Sequence, residues 1–270
     1  MPGFDTELGN ELDLLVEVVR EAGALCLHWL AAGARTWDKS PGNPVTEADI
    51  AVNDLIALRL GAARPGYGWL SEETRDDLSN RSAQRIFVVD PIDGTRAFMR
   101  GDPGFCVSIA LLDRNRPVAG VLFNPMTDEL LAARAGAGAA LNGQPIRASA
   151  ATAVGESRMI GQPSVFSKSV RAAHWPGMVL LDPLPNAIAW RIALVAAGRC
   201  DAAVALNSKN DWDLAAAVLI LAEAGGVATD RNGDAFVFNG SSLVKAGVVA
   251  AGAGLHPLLL ESLGKLGRQP

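Results

Sequence analysis

Apolar residues near the N-terminus recur at a helical interval: Leu8, Leu12, Leu15, Val16, Val19, Ala22, Cys26 and Leu30. The period predicts a helix, and Gly33 suits its end. A Pro/Gly-containing loop follows, Ser40-Pro41-Gly42-Asn43-Pro44. Thr46 then opens a second helix with an apolar face of Val52, Leu55, Ile56 and Leu60. Trp69-Leu70 ends a strand and leads into Ser71-Glu72-Glu73. Ile86-Phe87-Val88-Val89 is apolar at every position, which predicts a strand in a sheet covered on both faces. Pro91 is expected to stop it. Residues 105–112 and 118–123 read as two strands around a turn at Arg114-Asn115-Arg116-Pro117, and 130–133 extends the meander. Asn142-Gly143 marks one more turn.

Beyond residue 148 strands and helices alternate. Ile188, Ile192 and Val195 predict a helix closed by Gly198, and 201–206 a strand. Residues 212–224 form an apolar helix closed by Gly225-Gly226. Short strands are expected at 227–229, 236–238 and 248–251, and a last helix begins near Pro257. The pattern predicts an α+β subdomain over 1–147 and an α/β subdomain over 148–270. The stretch 158–185 carries the weakest signal, and 164–175 is unassigned.

Composition narrows the classes. The chain has 270 residues, of which 49% are apolar, enough for a sizeable core and too many for a disordered chain. A net charge of -5 offers no field for a nucleic-acid polymer or a membrane surface. An anionic substrate would therefore need local positive charge. No apolar run reaches the ~18 residues of a membrane span. Cys26, Cys106 and Cys200 are widely spaced and read as reduced core thiols, and Met1-Pro2-Gly3-Phe4-Asp5 is too acidic for a signal peptide. Together these features predict a cytoplasmic protein. His28, His174 and His256 match no zinc spacing and read as core or surface residues.

The candidate chemistry lies in Asp90-Pro91-Ile92-Asp93-Gly94-Thr95. An apolar strand delivers Asp90, and Asp93 follows within a turn. Two carboxylates with the Ile92 carbonyl between them suit a hard cation such as Mg²⁺. Gly94-Thr95 reads as a helix opening whose N–H groups could hold phosphate. Taken alone, the run fits an acidic turn with Asp93 capping a helix equally well. Glu72 and Glu73 follow another strand, Asp49 completes a capping box with Thr46, and Asp213 opens an apolar helix.

Four stretches together resemble the inositol monophosphatase family: Val45-Thr46-Glu47-Ala48-Asp49, Ser71-Glu72-Glu73, Asp90 to Thr95, and Trp212-Asp213-Leu214-Ala215-Ala216. The wider family includes bisphosphate nucleotidases and relatives of fructose bisphosphatase. The motifs keep family order over nearly the whole chain, and Glu223-Ala224-Gly225-Gly226 resembles the C-terminal pattern. The resemblance implies a layered αβαβα sandwich of the sugar phosphatase type. It implies that Glu72, Asp90, the Ile92 carbonyl, Asp93 and Asp213 bind two or three Mg²⁺ ions. Thr95 would orient the attacking water with Asp49 behind it, and Glu72 would complete the catalytic set. Gly94 and Thr95, with Asp93 and Asp213, would face the phosphate. Water would attack in line without a phosphoenzyme, and members are commonly lithium-inhibited homodimers.

Some residues depart from the inositol-type pattern. Arg96-Ala97-Phe98 and Ser71 look closer to the bisphosphate nucleotidase branch, which acts on 3'-phosphoadenosine 5'-phosphate. Arg96, Asn186 and Lys209 are candidate substrate contacts, with a surface ion pair, a helix cap and a solvated lysine as their plain alternatives. Inositol or similar polyol phosphates and 3'-phosphoadenosine 5'-phosphate are the two substrates favoured. Histidinol phosphate, fructose 1,6-bisphosphate and a non-catalytic role complete the range.

Overall fold

The computed structural model describes residues 2–162, 165–168 and 175–266. His174 and most of the 164–175 stretch lie outside the described residues. Helix α1 (Pro2–Ala32) buries Leu8, Leu15, Val19, Ala22 and Cys26, the residues spaced for one face. Gly33 ends it in the left-handed region at φ +80, where its N–H reaches the Trp29 carbonyl. A hairpin follows, β1 (Thr36–Ser40) and β2 (Asn43–Thr46), turning at Pro41-Gly42. Sequence patterning shows a loop here, because every β1 residue is exposed and no apolar alternation marks it. Helix α2 (Glu47–Ala63) begins at the capping box of Thr46 and Asp49.

The next strands are β3 (Gly68–Ser71) and β4 (Arg85–Asp93), which pair in parallel. Pro91 does not stop β4, contrary to the sequence expectation. Asp90 faces Ser108 and Asp93 faces Cys106, so Pro91-Ile92 bulges opposite a single residue. A bulge tolerates proline because its missing N–H has no ladder partner to lose. After α3 (Thr95–Arg100) come β5 (Cys106–Asp113), β6 (Arg116–Asn124), β7 (Glu129–Arg134), β8 (Ala139–Leu141) and β9 (Gln144–Pro145). They complete a seven-stranded sheet in the order β3-β4-β5-β6-β7-β8-β9. Asn142-Gly143 turns β8 into β9 with positive φ at both residues.

The second half contributes β10 (Arg158–Gly161), β11 (Val179–Leu180), α4 (Ile188–Ala196), β12 (Ala202–Ala205), β13 (Lys209–Asn210) and α5 (Asp211–Glu223). Then come β14 (Gly226–Thr229), β15 (Val244–Lys245), β16 (Val248–Gly252) and α6 (His256–Leu266). A five-stranded sheet runs β11-β10-β12-β16-β14, and β13 pairs with β15 beside it. Residues 236–238 are not a strand. Phe238 is buried, and this loop feeds Asn239 into a hydrogen-bonded network rather than a ladder.

Alternation along the strands sorts these elements into layers. Phe87, Val89, Ile109 and Leu111 pack on α1 and α2, while Ile86, Val88, Ala110 and Leu112 pack on α4 and α5. Ala203, Ala205, Val248 and Ala250 cover the other side of α4 and α5. Val204, Val249 and Ala251 face Leu255, just before α6, and Leu259 within it. The result is an αβαβα sandwich. Helix α5 is apolar nearly all round because sheets cover it on both sides. At Gly120 a Cβ would meet the Ala216 backbone at 3.1 Å, so a glycine and an alanine set that close approach. No described helix is long and apolar enough to cross a membrane.

Ile220 is fully buried in this central layer, whereas Leu58 is 71% exposed. Ile220→Ala is expected to cost about 2–5 kcal/mol in urea-unfolding experiments. Leu58→Ala should change stability by less than about 0.5 kcal/mol.

Candidate metal and phosphate site

Three separate stretches deliver acidic groups to one cleft, and a fourth places Asp49 against the Thr95 hydroxyl. The β4 bulge presents Asp90, the Ile92 carbonyl and Asp93. Glu72 follows β3 directly, and its N–H continues the parallel ladder to the Val89 carbonyl at 3.2 Å. Asp213 lies in the first turn of α5, and Asp49 in the first turn of α2. Carboxylate oxygens of Glu72, Asp90 and Asp213 all lie within 4.8 Å of one another. Among the described residues this is the only such cluster of potential metal ligands. The cleft measures about 220 Å³, and Glu72, Asp90, Ile92, Asp93, Gly94, Thr95, Arg96, Asn186, Lys209 and Asp213 all line it.

Burial, then the charges of Glu72, Asp93 and Asp213, push the Asp90 carboxyl well above the usual carboxylate range. Burial and the nearby Asp93 raise Asp213 to about 7, against the opposing Asn210 N–H and Lys209. Asp93 is raised to about 6, again chiefly by burial, although the Ala189 N–H and Arg191 hold it down. Buried carboxylates repelling one another in this way call for a counter-charge. An all-oxygen donor set fits a hard divalent cation. Glu72, Asp90, Asp213 and the Ile92 carbonyl are the groups that would hold it, while Asp93, also expected among the ligands, lies outside the three-carboxylate cluster with both oxygens accepting N–H groups of α4.

Several of these carboxylates also accept N–H groups at a helix start. Asp93 Oδ2 accepts the Ala189 N–H at 2.7 Å and Oδ1 the Ile188 N–H at 3.3 Å, at the start of α4. Asp213 Oδ2 accepts the Asn210 N–H at 2.6 Å. Asp49 Oδ2 takes both the Thr46 N–H at 2.8 Å and the Thr46 hydroxyl at 2.6 Å. Its other oxygen, Oδ1, accepts the Thr95 hydroxyl at 3.1 Å. The capping box thus leaves one oxygen of a buried aspartate to orient Thr95. Gly94, at φ +95, turns the chain into α3 where a Cβ would meet Ala187 N and Gly104 O at 3.0 Å.

The candidate substrate residues fall into place unevenly. Lys209 lines the cleft from β13, close enough to lower the pKa of Asp93 and Asp213. Arg96 lines it too, but donates Nη2 to the Gly42 carbonyl and so ties α3 to the β1–β2 hairpin. Asn186 does not cap α4. Ala187 holds that position, and the buried Asn186 Oδ1 has no protein partner. Arg191 fixes this turn instead, donating to the carbonyls of Pro185 at 2.6 Å and Asn186 at 3.2 Å.

Sequence reading missed Lys39, Asn43 and Pro44. Asn43 and Pro44 line the cleft. Lys39 Nζ reaches Glu72 at 2.9 Å and Glu73 at 2.6 Å. Burial lowers the pKa of Lys39, but Glu72 and Glu73 outweigh it and leave the ammonium raised. Burial lifts Glu73 to about 6 despite Lys39. Ser71 Oγ donates to Asn53 Oδ1 at 2.7 Å, so α2 steadies the Glu72 turn as well as Thr95. A larger groove of about 810 Å³ lies between α1 and the β7–β9 edge, lined by Leu12, Val16 and Leu130. Its acidic group, Glu223, is taken up by the N–H groups of Gly136 and Gly138.

Clustered oxygen donors beside an oriented threonine hydroxyl, in an αβαβα sandwich, define a metal-dependent phosphatase class. A sequence model of the inositol monophosphatase family matches residues 10–268, and the chain belongs to that family. Its homologues are phosphatases acting on phosphate monoesters. An inositol-1-monophosphatase of Mesorhizobium japonicum is 35% identical, over 76% of this chain and 79% of its own length. A histidinol-phosphatase of Chlorobaculum parvum is 32% identical, over 87% and 92%. The solved extragenic suppressor protein SuhB of Bartonella henselae superposes with a TM-score of 0.83 at 31% identity, over 95% of this chain and 99% of that one.

Raised carboxylates work against the folded state while they are ionised. For Asp213 the penalty is complete above about pH 7 and is relieved as pH falls toward the ordinary value of 3.8. Metal-free protein should therefore melt at a higher temperature at about pH 6 than at about pH 8, and added Mg²⁺ should stabilise it more at about pH 8. Scanning calorimetry with and without chelator reads both effects.

Proposed function

We propose that this chain hydrolyses a small phosphate monoester, an inositol phosphate or similar polyol phosphate, with Mg²⁺ at Glu72, Asp90, Asp213 and the Ile92 carbonyl. The observation that carries the reading is the three-carboxylate cluster beside Thr95 and Asp49. The cation would neutralise phosphoryl charge and lower the pKa of water there. Thr95 donates its hydroxyl proton to Asp49, which turns its lone pairs outward to accept from water. That bond orients a water for in-line attack on phosphorus, with the alcohol as leaving group. Lys209 faces the same space and offers positive charge to the phosphate. Gly94 and Thr95 supply the backbone against which the phosphate rests. The inositol-phosphatase names of several relatives support the polyol choice.

A second reading rests on Arg96. A guanidinium on the cleft wall suits a substrate with a second anionic group, as in 3'-phosphoadenosine 5'-phosphate. A turnover panel of inositol 1-phosphate, 3'-phosphoadenosine 5'-phosphate, histidinol phosphate and fructose 1,6-bisphosphate in Mg²⁺ decides between them. The highest kcat/KM is expected for the inositol ester, and no hydrolysis of any of the four would contradict the enzyme reading.

Asp90→Asn should abolish Mg²⁺-dependent turnover. Thr95→Ala should lower kcat by about a hundredfold or more while Mg²⁺ binding survives in calorimetric titration. Loss of binding in that variant would move Thr95 from water to metal. Lithium at millimolar levels is expected to inhibit.

A further inference from the structure

Glu72 and Asp213 reach the cleft from distant parts of the chain, yet one polar network ties their supporting segments together behind it. Asp211, the first residue of α5, is fully buried. Its Oδ1 lies 2.7 Å from Lys245 Nζ, and its Oδ2 accepts the Asn239 N–H at 2.6 Å. Asn239 Oδ1 accepts from Arg81 Nη1 at 2.9 Å, and Asn239 Nδ2 donates to the Arg81 carbonyl at 3.1 Å. Arg81 is buried as well and pairs with Asp76 at 2.6 Å, in the loop that leaves Glu72 and Glu73. On the other side, Lys245 in β15 faces Lys209 in β13, and Val244 faces Asn210. Asn210 is the residue whose N–H holds Asp213.

None of Asp76, Arg81, Asn239, Asp211 and Lys245 lines the cleft. We propose that these five form a bracket of positioning residues that fixes Glu72 relative to Asp213 and thereby sets affinity for the divalent cation. The inference rests on the metal site proposed above. Its physical basis is the repulsion among the clustered carboxylates, which the fold must resist before a cation arrives. A buried ion pair contributes little net stability, but it fixes geometry, because each charge is costly to leave without its partner. Removing the Lys245 charge strands Asp211 in the interior. The start of α5 then relaxes, and β13 with Asn210 moves away from Asp213.

Mn²⁺ binding to the intact chain, read by electron paramagnetic resonance of free Mn²⁺, tests the bracket without turnover. Lys245→Met is expected to weaken binding about tenfold or more, the usual cost of losing groups that support metal ligands from behind. Lys245→Arg should recover most of that affinity, and Asp76→Asn should show a smaller loss in the same direction. In Mg²⁺-dependent turnover, Lys245→Met should raise the metal concentration for half-maximal rate far more than it lowers kcat at saturating metal. Wild-type affinity in a folded Lys245→Met protein overturns the bracket and leaves the metal site standing. A wild-type chain that binds no Mn²⁺ overturns both. Should Lys245→Met lose its cooperative melting transition, Asp76→Asn decides, since Asp76 is half-exposed and its loss is mild. Unchanged affinity in that variant overturns the proposal.

Discussion

Carboxylates that repel one another inside a folded chain must be held together by other forces, and the architecture around this cleft follows from that constraint. Glu72, Asp90 and Asp213 bring oxygens within 4.8 Å in a largely buried setting. Each is fixed by backbone that the sandwich already holds rigid. Two parallel strands deliver Glu72 and Asp90 side by side. A bulge at Pro91-Ile92 turns Asp93 and the Ile92 carbonyl into the same space. The third carboxylate arrives on α5, which is clamped between two sheets.

Helix starts supply part of the counter-charge. Asp49, Asp93 and Asp213 each accept N–H groups at the beginning of a helix. Those positions carry partial positive charge and favour anions. The structural and the chemical readings of these aspartates therefore describe one arrangement. Asp49 shows it most directly, with one oxygen closing the capping box and the other steering Thr95. A cap that also holds the Thr95 hydroxyl cannot shift without cost to the helix, which keeps the geometry stiff.

Much of this was legible in the chain itself. Helical spacing marks α1 and α5, apolar runs mark β4 to β6, and Glu72, Asp90, Asp93, Thr95 and Asp213 line the cleft, whereas Asp49 meets the Thr95 hydroxyl without lining it. The failures share a physical cause. Local propensity makes Pro91 a strand stop, while a bulge between the Asp90–Ser108 and Asp93–Cys106 pairs sets its role. The β1–β2 hairpin has no buried alternation to betray it, so Lys39, Asn43 and Pro44 were invisible. Lys39 meets Glu72 and Glu73 only across a long loop closure, and the Asp211–Lys245 pair likewise joins residues that no local pattern connects. Of the two roles open to Asn186, the helix cap falls to Ala187, and Asn186 lines the cleft. Periodicity reports faces and breaks, whereas ion pairs between distant segments leave no periodic trace.

Mutual repulsion among the carboxylates at the ends of β3, β4 and α5 calls for a divalent cation. Crystals soaked in Mn²⁺ and measured at the manganese edge test it directly. An anomalous peak bounded by Glu72, Asp90, Asp213 and the Ile92 carbonyl is expected, and it should disappear in Asp90→Asn. A cleft without a peak, or a peak unchanged by that substitution, would contradict it.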